Sequence, residues 1–365
     1  MGAERFETYV SRLEGKSVAV VANQTSLAFG THLVDTLLAQ GVEIKHVFAP
    51  EHGFRGVADA GAYVSNTKDP KTGLKVYSLY GKNKKPNYLQ LEDVDIVLFD
   101  LQDVGVRYYT YISTLHYMME ACAELGVELM VLDRPNPNGF YVDGPVLQES
   151  YSSFVGLHPV CLVHGMTIAE YAQMINGESW LAESVKCELS VIKCLNYEHT
   201  DYYELPVRPS PNLPNMASIY LYPSLGLFEG TIVSVGRGTA SPFQHFGHPS
   251  ISSEYSFTPK ASLGASAPKL EGKECFGFDL KEYGIDSMPQ RKELYLNWLK
   301  LSYDQLNKEH QFFLKNNFIN LLFGSDRLQN MIKSDRSIKE IRASWQEEKA
   351  EFLETRKNYL LYEDF

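Results

Sequence analysis

No apolar run in this sequence approaches the length of about 18 to 20 residues that crosses a bilayer as a helix, so no membrane span is expected. Basic residues are in deficit. Thirty-four Lys and Arg stand against 45 Asp and Glu, a formal charge of −11, and no basic patch stands out to neutralise a phosphate backbone; nucleic acid is not an expected partner. Cysteine is sparse: Cys122, Cys161, Cys187, Cys194 and Cys275 are odd in number and include no C-x-x-C pair. That excludes a zinc ribbon and a disulfide framework, and leaves buried thiols as the expectation. There is no G-x-G-x-x-G after the first apolar run and no G-x-x-x-x-G-K-[ST], so neither a dinucleotide nor a triphosphate is expected as cofactor. H-E-x-x-H and G-x-S-x-G are missing too, which argues against a zinc hydrolase and against a serine amidase. No repeat of 20–50 residues is visible. The opening Met1–Val10 lacks the basic-then-apolar pattern of a signal peptide.

What is present is ordinary globular material, 44% hydrophobic and 22% charged over 365 residues, enough for one large domain or two unequal ones. The first 135 residues alternate short β-rich runs with helical periodicity, the pattern of βαβ units. Strands are predicted at Val18–Val21, Ile44–Phe48, Val94–Phe99, Leu129–Leu132 and Leu189–Ile192. Leu115, Met118, Met119, Cys122 and Leu125 form a helical stripe that ends at Gly126, a crossover helix. A shorter helix is predicted around Val34–Leu38, and another over Thr167–Ile175. The stretch Glu51–Gly73 carries four glycines with little periodicity and reads as a functional loop. From Ile251 to Lys273 the composition is linker-like, and long helices are expected beyond it, one opening with the capping box Ser337-x-x-Glu340. The fold class is therefore α/β: a Rossmann-like parallel-sheet catalytic domain over residues 1–245, and a smaller α+β domain over 246–365.

In an open parallel sheet, ligands bind beyond the carboxyl ends of the strands. Asn23, Gln24 and Thr25 follow the first predicted strand, and Glu51, His52 and Arg55 follow the second. Asp100, Gln102, Asp103 and Arg107 follow the third, and Asp133, Arg134 and Asn136 the fourth. Carboxylates, arginines, amides and aromatics suit a sugar ligand, and glycoside hydrolysis ordinarily needs two carboxyl groups. Glu51, Asp100, Asp103 and Glu229 are the candidates, Glu51 also reading as a loop carboxylate paired with Arg55 and the two aspartates as turn or cap residues. Arg55, Arg107 and Arg237 are candidates to clamp an anionic substrate, with structural pairing to a nearby Asp as the alternative. His52, His164, His245 and His248 raise the question of a metal, but His245-Phe246-Gly247-His248 has no matching acidic third ligand nearby in sequence, so no metal site is expected. At least one of Tyr108, Tyr109 and Tyr111 is expected to face the ligand, and Gly236-Arg237-Gly238 reads as a tight turn.

Several long segments, in order, carry a resemblance: Ala49-Pro50-Glu51-His52-Gly53-Phe54-Arg55-Gly56, Asp100 to Tyr111, Leu132 to Pro137, Pro209 to Pro214, Phe228-Glu229-Gly230-Thr231 and Gly236-Arg237-Gly238-Thr239. Together they resemble the bacterial exo-β-N-acetylmuramidase family, over roughly residues 17–250 and more weakly to the end. The resemblance implies release of terminal N-acetylmuramic acid from the non-reducing ends of peptidoglycan fragments, without metal or organic cofactor. A peptidoglycan glycan would be the partner and an exported, periplasmic location would follow, a cytoplasmic one staying open. It would give Arg55 or Arg237 the lactyl carboxylate to bind, and Asn212 or Gln102 the 2-acetamido group. Glu51 is then the expected general acid, with Asp103 or Asp100 as the second carboxylate or as the group that orients an attacking 2-acetamido oxygen; Asn23, His52, Tyr109 and Glu229 complete the expected substrate contacts. The alternative from another class is a periplasmic muropeptide-binding protein without turnover.

Overall fold

Val18–Ala22 (β1) is buried along its whole length, and its side chains alternate between two separate cores. Ala19 and Val21 enter one core, Val18, Val20 and Ala22 the other, the period-2 signature of a strand covered on both faces. The computed structural model describes residues 1–51, 53–55 and 67–365. β1 pairs in parallel with Ile44–Ala49 (β2), Val20 opposite Val47. Thr67–Lys68 (β3) and Lys75–Ser78 (β4) extend that side, β3 antiparallel at the edge. Ile96–Asp100 (β5), Glu128–Leu132 (β6) and Leu189–Ile192 (β7) lie in parallel on the other side of β1. The resulting seven-stranded order is β7-β6-β5-β1-β2-β4-β3. Successive strands run outward from β1 in one direction and from β5 in the other, so the switch point lies between these two neighbours.

The predicted helices are Leu33–Ala39, Tyr111–Leu125 and Ile168–Gly177, the second ending at Gly126 with φ 67° and the third capped by Thr167. A separate antiparallel sheet joins His245–His248, Cys275–Asp279 and Tyr255–Phe257 in the smaller C-terminal part. All five cysteines are buried and unpaired. Among the described residues no helix is long and apolar enough to cross a membrane.

Two expectations are corrected. The Ile251–Lys273 stretch is no linker, because it is hydrogen-bonded to residues before it in the chain. Asn212 Nδ2 donates to Gly264 O at 2.7 Å, and Lys269 Nζ to Phe228 O and Thr231 O at 3.0 and 2.6 Å. Nor are the C-terminal helices long: Ile338–Ala343, opened by the Ser337–Glu340 capping box, breaks before Gln346–Arg356. Trp345 sits at the break, fully buried, with its indole N–H donated to Asp143 at 3.1 Å. The shared apolar face that reads as one helix is thus served by two.

Candidate active site

The ends of β1, β2 and β5 supply the floor of the site. Asn23, directly after β1, is buried; its Oδ1 accepts from Thr25 N at 2.8 Å and its Nδ2 donates to Tyr111 Oη at 2.8 Å. The turn after β5 is set by Asp103, whose Oδ2 accepts from Gly105 N at 2.7 Å while Gly105 takes φ +76°. A side chain at Gly105 would meet Asn136 at 2.4 Å, so this bend, which delivers Tyr108 to Tyr111, requires glycine. Gly236 and Gly238 take φ +76° and +80°, and the tight turn predicted there aims Arg237.

These elements enclose a small, partly open cleft. Glu51, Tyr109, Asn212 and Arg237 line it together with Tyr222 and Phe243. Thr110 Oγ1 stands 3.5 Å from Glu51 Oε2, and the Tyr80 hydroxyl also bonds Glu51. Burial first, and then the Glu51 carboxylate, push the Tyr80 phenol up to about 12, so it stays a donor at neutral pH. Tyr109 donates to Pro209 O at 2.9 Å, locking a second wall of the cleft. Arg237 Nε lies 3.3 Å from Glu229 Oε2, and the guanidinium carbon is 4.9 Å from the centre of the Phe243 ring. Both contacts fix the arginine's plane.

Other candidates are placed elsewhere. Asp100 is completely buried and takes a bidentate pair from Arg134, Nε at 2.6 Å and Nη2 at 2.9 Å, so it is sealed from the cleft and its catalytic reading is withdrawn. Arg55 is consumed by Asp69 at 2.9 and 2.8 Å and Asp35 at 3.1 Å, which hold it away from the cleft lining. Arg107 is fully buried among carbonyl groups: Pro145 O and Val160 O at 2.8 and 2.6 Å, Leu322 O and Phe323 O at 3.3 and 2.7 Å. It links carbonyls of two distant stretches of the chain and is absent from the cleft lining. Gln102 spends its amide on Asp103 O and Pro135 O at 2.9 and 2.7 Å, both buried. Asp103 is 4% exposed and lies behind the tyrosines, with His164 Nε2 at 3.6 Å. His52 lies outside the described residues. Among the described residues, no three His, Cys, Asp or Glu side chains converge to hold a metal.

The family profile described as exo-beta-N-acetylmuramidase NamZ, N-terminal, matches residues 18–217, and its C-terminal counterpart matches 220–362. The chain belongs to the exo-beta-N-acetylmuramidase NamZ family. It is 38% identical to the peptidoglycan beta-N-acetylmuramidase NamZ of Bacillus subtilis (strain 168), over 97% of this chain and 89% of that protein. Two crystal structures of DUF1343 family proteins from Bacteroides fragilis NCTC 9343 share the fold. BF0379 is 44% identical with a TM-score of 0.92, covering 100% of this chain and 99% of that one. BF0371 is 29% identical with a TM-score of 0.83, covering 99% and 98%. In this NamZ-family chain the N-terminal match supplies Glu51, Tyr109 and Asn212, and the C-terminal match supplies Tyr222, Arg237 and Phe243. Tyr222 escapes sequence reasoning because it sits in an apolar stretch that reads as core, with Pro223 directly after it inside a helix; Phe243 stands in the mixed stretch Ser241-Pro242-Phe243-Gln244, which carries no signal of its own.

Proposed function

We propose that this NamZ-family chain is an exo-β-N-acetylmuramidase that releases terminal N-acetylmuramic acid from the non-reducing ends of peptidoglycan fragments. The observation that carries this reading is the juxtaposition, in one small cleft, of the Glu51 carboxyl group and the Arg237 guanidinium. An acid is needed to protonate a glycosidic oxygen, and a fixed guanidinium matches the lactyl carboxylate that distinguishes muramic acid from glucosamine.

Among the described residues Glu51 is the carboxylate that lines the cleft, Glu229 being turned to Arg237 and Asp103 buried behind the tyrosines. One protein carboxyl group is sufficient if the substrate's own 2-acetamido oxygen attacks the anomeric carbon. In that sequence Glu51 gives its proton to the glycosidic oxygen as the C1–O bond breaks, and the acetamido oxygen bonds to C1. Water then adds at C1, passing a proton to Glu51 and breaking the acetamido bond. Asn212 and Tyr109, at the cleft wall, are the groups in place to orient the acetamide.

The test compares a chromogenic β-N-acetylmuramide with the matching glucosaminide, in wild type and Glu51→Gln. Release from the muramide alone is expected, with the variant slower by about 10²–10⁴-fold. No release from either glycoside by wild type, with binding retained, would favour a muropeptide-binding protein.

A further inference from the structure

With the terminal sugar read at this small cleft, the rest of the glycan must leave it along the protein surface. Tyr80, which bonds Glu51, begins a series of aromatic rings leading away from the cleft. Its ring lies 6.4 Å from that of Phe154, which in turn runs nearly parallel to Tyr117 at 6.3 Å and 16°. Tyr117 meets His116 at 5.2 Å, His116 meets His158 at 4.9 Å, and His158 is stacked under Trp180 at 4.9 Å and 18°. Trp180 borders an open groove, shared with Leu147, Glu149, Ser152 and Leu157. Tyr80, Tyr117, Phe154 and Trp180 are all partly exposed, while the two histidines beneath are buried.

Four separate chain segments build this track, so its continuity is a product of tertiary structure and not of local sequence. The histidines serve as its support: His158 Nδ1 is 3.0 Å from Tyr171 Oη and its Nε2 3.0 Å from His116 Nδ1, which fixes the ring under Trp180. Lys84 Nζ lies 4.4 Å from the centre of the Phe154 ring, a cation beside the aromatic path in a protein that is otherwise acidic. Flat apolar rings flanked by charged and hydroxyl groups match the C–H faces, hydroxyls and carboxylates of a muramyl glycan. The exposed rings Tyr80, Phe154 and Tyr117 stand 6.3–6.4 Å apart, a step on the scale of one pyranose ring.

We propose that the saccharide chain beyond the terminal residue runs from the cleft over Tyr80, Phe154 and Tyr117, and that its distal sugars lie in the Trp180 groove. This rests on the muramidase reading above and adds the direction in which the substrate leaves the site.

The experiment measures kcat/KM for wild type, Phe154→Ala, Phe154→Tyr and Trp180→Ala on two substrates: the chromogenic monosaccharide muramide and a muramic-acid-terminated tetrasaccharide. The two alanine variants should lose about tenfold on the tetrasaccharide and keep the monosaccharide rate, which also shows that they are folded; Phe154→Tyr should restore the loss. Equal effects on both substrates, or none on the tetrasaccharide, overturn the path and leave the muramidase reading intact. If wild type cleaves neither substrate, the muramidase reading fails, and calorimetric titration with the tetrasaccharide decides the path alone: a tenfold loss of affinity in Phe154→Ala supports it, and an unchanged affinity overturns it. Of three tryptophans, Trp298 and Trp345 are buried, so tetrasaccharide shielding of wild-type fluorescence from iodide reports on Trp180 directly.

Discussion

Replacing Arg107 with methionine keeps a long buried stem and removes the guanidinium that four carbonyl oxygens share. Three of those bonds are 2.6–2.8 Å, and the fourth, to Leu322 O, is 3.3 Å. A hydrogen bond from a charged donor contributes about 1.5–3 kcal/mol net, and an orphaned buried carbonyl costs about 1–3 kcal/mol. Against this stands the burial of an arginine without a carboxylate partner, which pulls its pKa down to about 10 and is relieved by the substitution. The balance is a loss of about 3–5 kcal/mol, the scale seen when one partner of a buried charged arrangement is removed. For a chain this long the unfolding entropy is roughly 0.8 kcal/mol/K, so Tm should fall by about 4–7 °C. Calorimetry checks the melting temperature, and muramide hydrolysis well below it should return a wild-type KM. Arg107→Lys should fall between the two, since one compact ammonium cannot serve carbonyls from both parts of the chain. An unchanged Tm together with a tenfold rise in KM would refute the reasoning and return Arg107 to the substrate.

Arg237→Met should raise KM for the muramide by about 10- to 100-fold, through loss of a charge-assisted contact to the lactyl carboxylate, and leave KM for any glucosaminide turnover nearly unchanged; steady-state kinetics on both glycosides check this. Asp133, fully buried, has its carboxyl raised to about 7, mainly by desolvation. The folded state therefore holds a proton that the unfolded chain releases near pH 4, and the stabilisation from that proton is lost as pH rises through 7. Denaturant titrations of wild type and Asp133→Asn at pH 5 and pH 8 should show the wild-type advantage shrinking at the higher pH; an advantage that grows with pH would contradict it.

The sheet is readable from the sequence because its strands are short β-branched runs buried on both faces, and β1, β2, β5, β6 and β7 all coincide with predicted strands to within two residues. The edge at which a site forms is readable for a related reason: polar residues crowd where those runs stop. The destination of each polar side chain is not. Arg55 and Arg237 look alike in sequence, yet one is enclosed by Asp35 and Asp69 and the other borders the cleft. Arg107 bonds the carbonyl of Phe323, 216 residues away, a pairing with no local trace. The same holds for Asp100, where Arg134 turns a strand-end carboxylate into part of the core.

The cleft draws Glu51 from one of the two family segments and Arg237 from the other. On the roles proposed above for Glu51 and Arg237, bond breaking and sugar choice are inherited through different stretches of one polypeptide. A chimera that keeps residues 18–217 and takes the following segment from a relative would retain its acid while acquiring a new discriminator. On those roles, preference among amino sugars could change without the hydrolytic apparatus being rebuilt.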